Sequence, residues 1–113
     1  LDLLEEKDFP HYVMVCENTF DISQLDTKPS AISQDTLAFH IAGATRIVPT
    51  LTSNSKRYTP MFLAGVLVHE ACHATDWNYD KPITEKDAYA HELATFKILD
   101  APYWMQKECM GRE

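Results

Sequence analysis

Residues 69–73 read His-Glu-Ala-Cys-His. In a helix, residues four apart lie one turn above each other, so both imidazoles would project from one face toward a common point. Two neutral ring nitrogens about 2.0–2.1 Å from a zinc ion supply half of a tetrahedral shell. Glu70 follows the first histidine by about 100° of rotation, on the flank of that face. From there its carboxylate can reach a water held by the metal without being a ligand itself. Zinc lowers the pKa of such a water toward about 7, and Glu70 is placed to take the proton. The expected chemistry is hydrolysis assisted by one zinc ion per chain. Context strengthens the reading: apart from the Cys72 thiol, His69, Glu70 and His73 are the only ionisable residues between Thr59 and Thr75. Burying such groups without a partner costs a few kcal/mol.

A third ligand has to come from outside the pentapeptide. Asp76 shares the face of His69 but lies about 10 Å along the axis from it, too far to close one tetrahedron with both histidines. It suits the end of the helix, or a role orienting His73. No third histidine follows at the HExxHxxGxxH spacing, because position 76 is Asp and position 79 is Tyr. The segment TEKDAYAHELATF places Glu85, Ala88, Tyr89 and Glu92 on one helical face. If a short loop makes the two helices antiparallel, Glu85 comes level with His73, and the small Ala88 lets the helices approach. Glu85 is therefore the first choice of ligand. Glu92, level with the first turn of the motif if the loop is looser, is the alternative.

Around these residues the sequence predicts the following elements. Leu1 to Asp8 reads as a short helix ended by Pro10. His11 to Glu17 (HYVMVCE), rich in Tyr and Val, reads as a strand, and Asn18 to Gln34 as a long polar loop. Thr36 to Ala42 and Arg46 to Thr52 read as strands with a turn at Gly43, and Pro49 puts the second of them at a sheet edge. Thr59-Pro60 is an N-cap followed by proline at the first helical position, opening a helix that runs to about Trp77. Met61 to Val68 has no polar side chain, the mark of a helix buried all round. Thr84, with Asp87 three residues on, starts a second helix that ends near Leu99. Asp100 and Pro102 restart a short one carrying Tyr103, Trp104 and Met105.

The HEACH pentapeptide followed by Glu85-Lys86-Asp87-Ala88-Tyr89 resembles the gluzincin clan of zinc metallopeptidases, over about Thr36 to Leu99. The small size suggests its minimal members, the minigluzincins. The resemblance implies an α+β, zincin-like fold: a small antiparallel sheet of two to three strands on a buried active-site helix and a following glutamate helix. It implies His69, His73 and Glu85 as zinc ligands and Glu70 as general base. It further implies an endopeptidase whose peptide or protein substrate lies along an edge strand, either Thr36–Ala42 or Arg46–Thr52. The stretch from His73 to Glu85 is short for the clan, and Tyr89 stands where larger members often carry an Asp. Tyr79, Tyr89, His91 and Tyr103 are the candidates for holding the oxyanion. A second reading is a metal-stabilised regulatory module of ImmA/IrrE-like type, with narrow or latent proteolysis.

The remaining signals are bounds. Cys72 lies about 60° from His69 around the helix and reads as a small buried hydrophobe. His11 and His40 read as structural histidines. The chain has 113 residues, 45% hydrophobic and 24% charged, and is expected to form one domain over 1–113. Ten Lys+Arg against 17 Asp+Glu give a net charge of −7. That balance disfavours a nucleic-acid partner, and no apolar run is long enough for a membrane span. Three widely spaced cysteines without a CxxC pair, and no signal-peptide pattern, set the expectation of a cytoplasmic protein.

Overall fold

The structure, a computed structural model, describes residues 1–19, 21–24, 38–41, 44–47, 59–78 and 84–113; at 21, 23–24, 39–41, 44, 46–47 and 76–78 it describes the backbone only. Five helices dominate these residues: α1 (Asp2–Lys7), α2 (Phe9–Asn18), α3 (Pro60–Asn78), α4 (Glu85–Ile98) and α5 (Tyr103–Cys109). Three strands of four residues each accompany them: β1 (Asp21–Gln24), β2 (Ala38–Ile41) and β3 (Ala44–Ile47).

α3 is the centre. One side packs on α1 and α2, where Leu4, Val15, Ala64, Leu67, Val68, Ala71 and Leu99 form one buried cluster. Its other side packs on α4 and α5 through Phe62, Val66, Leu93, Phe96, Ala101, Met105 and Cys109. A helix clamped between two layers has no solvent face to furnish, which is why Met61–Val68 carries no polar side chain. The approach of α3 to α4 is close. A Cβ on Gly65 would collide with the ring of Phe96, so any larger residue there would force one of the two to shift. Ala88, fully buried further along α4, serves the same closeness. Thr59 and Thr84 act at the helix starts as expected: Thr59 Oγ1 accepts from the Phe62 N–H and Thr84 Oγ1 from the Asp87 N–H, each at 3.3 Å.

The fold class expected from sequence is overturned. The described residues are mostly helical, so an α+β fold resting on an antiparallel sheet does not hold. The strands make a short mixed ladder in the order β1-β3-β2, with β1 parallel and β2 antiparallel to β3. Four local expectations also differ from the structure. His11–Glu17, expected as a strand, is the body of α2. Pro10, expected to end a helix, sits in the first turn of α2, where a missing N–H costs nothing. Val15 is 1% exposed because it packs on α3, and that tertiary contact outweighs the local β preference of the Tyr/Val run. Asp21–Gln24, inside the expected long loop, is β1. Finally, Arg46–Thr52 was expected at an edge, yet β3 is the middle strand; Gly43, Pro49 and the rest of 48–52 fall outside the described residues.

Among the described residues, no helix is long and apolar enough to cross a membrane. None of the three cysteines is in a disulfide; Cys16 is exposed and Cys72 and Cys109 are buried.

Candidate metal centre

His69 and His73 leave α3 one turn apart, with their rings edge to face and centroids 4.9 Å apart. Glu85 opens α4 directly after the Thr84 cap, and the antiparallel packing brings it level with them. Its Oε1 lies 2.7 Å from His73 Nε2 and its Oε2 3.2 Å from His69 Nε2. In a tetrahedral zinc shell with bonds of about 2.0–2.1 Å, neighbouring donors are about 3.3 Å apart. The three side chains thus have the donor types and nearly the spacing that such a shell needs.

Glu92, two turns along α4, does something else. Its Oε1 lies 2.8 Å from His69 Nδ1. A carboxylate only accepts, so Nδ1 carries the proton and the Nε2 lone pair faces Glu85. Lone pair and carboxylate repel unless a cation lies between them, either a second proton or a metal ion. Burial by itself would lower the His69 pKa. The hydrogen bond and charge of Glu92, with Glu70 and Glu85 behind them, outweigh burial and raise it above the ordinary histidine value. Two imidazoles, one of them fixed by a carboxylate at its far nitrogen, and an anionic oxygen are donor types that could hold a divalent cation. His69, Glu70 and His73 each offer an atom within 4.8 Å of the others, and the group could hold a metal ion.

Glu70 is buried, at 8% exposure. Burial is the main reason its pKa is pushed up to about 7; the charges of Glu85 and Glu92 add to it, and His69 opposes. A carboxyl group poised near neutrality beside two imidazoles suits proton transfer.

The other sequence candidates fall in different places. Tyr89 sets its ring edge to face on His69 at 4.7 Å, while its hydroxyl accepts from Arg112 at 2.9 Å. His91 turns away to α2, its Nδ1 3.1 Å from His11 Nε2. Tyr103 is 67% exposed at the start of α5. His11 bonds Asp8 at 2.7 Å, and Cys72 is buried, as expected of both. Asp76 and His40 have no described side chain, and Tyr79 lies outside the described residues. Sequence reasoning missed Cys109, whose thiol meets Glu92 Oε2 at 3.2 Å, and Arg112. No periodicity links either to the motif. Comparison with known proteins finds no matching family, no matching curated protein and no matching solved structure.

Proposed function

We propose that this protein is a zinc-dependent metallopeptidase, similar in its site to the gluzincins, with His69, His73 and Glu85 as ligands. The observation that carries the reading is the convergence of both Nε2 atoms on the two oxygens of Glu85, at 3.2 and 2.7 Å. Zinc is favoured among cations because imidazole and carboxylate in a three-residue set leave a position open for water or substrate. When bound, it would acidify that water and polarise the scissile carbonyl.

The chain's own residues supply the rest. Glu70 withdraws a proton from the attacking water as its oxygen bonds to the carbonyl carbon, and returns it to the amide nitrogen as the C–N bond breaks. To act so, Glu70 must be ionised, and a cation held by its neighbours would pull its pKa down from about 7. Glu92 holds His69 in the tautomer that leaves Nε2 available. Glu85 is exposed, which leaves the open side of the group accessible. An extended peptide would pair with β2, an edge of the described ladder that packs on α3.

The test is metal analysis and casein hydrolysis on wild type and Glu70→Ala. We expect about one zinc per chain in both and cleavage in wild type only. Zinc without cleavage in wild type would favour the regulatory module of ImmA/IrrE-like type. Absence of zinc in wild type would sink both.

A further inference from the structure

Behind His69 the polar contacts continue beyond Glu92. Glu92 is buried in α4, and its two oxygens are divided: Oε1 on His69 Nδ1 at 2.8 Å and Oε2 on Cys109 Sγ at 3.2 Å. Cys109 is fully buried near the end of α5, within the cluster of Leu93, Phe96 and Met105. Among the described residues its thiol proton has one other acceptor in reach, the Met105 carbonyl at 4.0 Å. The shorter contact goes to the carboxylate. A thiol can only donate to an ionised carboxylate, and burial, then the Glu92 charge, push its pKa well above the usual thiol value, so it keeps its proton.

We propose that Cys109 is a positioning residue for the metal centre: its buried thiol anchors one oxygen of Glu92, and Glu92 thereby fixes the ring and tautomer of His69. A carboxylate held at one oxygen alone can swing about its last torsion, which is broad and shallow. Held at both, it aims a single lone pair at the Nδ1–H. Cys109, 40 residues beyond His69 at the end of α5, thus helps to decide how well α3 grips a cation. The link rests on the reading that His69 is a ligand, and the test separates the two.

Zinc affinity would be measured by competition with a chromophoric chelator in wild type, Cys109→Ala, Cys109→Ser and Glu92→Gln. The His69 tautomer would be read in the metal-free proteins by ¹⁵N imidazole NMR. Groups behind a ligand histidine are typically worth about 10–100-fold in metal affinity. We expect C109A and E92Q to lose about tenfold or more, and C109S, which restores a donor, to recover most of it. We also expect one Nδ1–H form of His69 in wild type and a mixture in C109A. Should C109A not fold, Cys109→Val fills the space without a donor and takes its place. Unchanged affinity and an unchanged His69 spectrum in C109A, or equal losses in C109A and C109S, would overturn the proposal. Wild type that binds no zinc would remove the metal reading, yet the metal-free spectra would still decide whether Cys109 governs His69.

Discussion

Among the described residues, two pairs of histidine rings lie against each other, His69 with His73 and His11 with His91. Each pair has a ring backed by a carboxylate: Glu92 behind His69 at 2.8 Å, Asp8 behind His11 at 2.7 Å. The pairs part company at the other nitrogen. His11 Nε2 faces His91 Nδ1 at 3.1 Å, and Thr95 Oγ1 stands 3.3 Å from His11 Nδ1. One proton shared between two rings satisfies that arrangement, which ties α2 to α4. His69 Nε2 instead faces an acidic oxygen, as does His73 Nε2, and a second proton or a metal ion reconciles those groups. A carboxylate behind an imidazole is therefore common to both pairs, and what the far nitrogen meets separates them.

This contrast can be broken most sharply by removing a ring from each pair. His69→Ala or His73→Ala should abolish stoichiometric zinc in the purified protein, whereas His11→Ala should leave about one zinc per chain. Zinc lost equally from both would erase the distinction. Next in size is Glu70→Gln, expected to keep the metal and lose about 10²–10⁴-fold in peptide hydrolysis, the usual worth of a proton-transfer group. Within the first pair, Glu85→Ala should bind zinc more weakly than Glu92→Ala, whose loss should stay near 10–100-fold. The reverse order, read by chelator competition, would exchange their roles. In the second pair, Asp8→Ala strips the buried partner from His11 and should cost about 1–3 kcal/mol in denaturant unfolding, with zinc affinity unmoved.

The smallest effect is on pH dependence without metal. Glu70 titrates near 7 in the fold against about 4.5 unfolded, so the fold favours its protonated form. That stabilisation is complete below about pH 4.5 and disappears as pH rises through about 7. His69, also raised, acts in the same sense: its contribution is present below its unfolded pKa and fades as pH rises through the folded one. Metal-free protein should thus lose stability from pH 4.5 to pH 8 through these groups. Glu70→Gln should show a visibly shallower loss in denaturant melts. An identical slope would mean that Glu70 ionises in the fold as freely as in water.

Legibility from the sequence was uneven for physical reasons. The two motif histidines, the Thr84 cap and the level of Glu85 depend on helical geometry within a turn or across one short connection. Such relations are local and periodic. The α2 segment failed because His11–Glu17 has the composition of a strand and is helical only through its contact with α3. Glu92 was placed on the correct face, but its contact with Nδ1 of His69 was not foreseen. Two turns from Glu85, it meets His69 at Nδ1 and not at the Nε2 that faces Glu85.

The sequence by itself determined that an apolar helix carries two imidazoles and a carboxyl group on neighbouring flanks, since 3.6 residues per turn admits little else. It determined equally that a following capped helix brings an acidic residue near them. Only the tertiary structure decided that helices, not an antiparallel sheet, make up most of the described fold. It alone decided that Glu92 and Cys109 line up behind His69 and that His11 meets His91 across 80 residues. Contacts between segments far apart in the chain depend on how whole faces pack, and no spacing along the sequence encodes that.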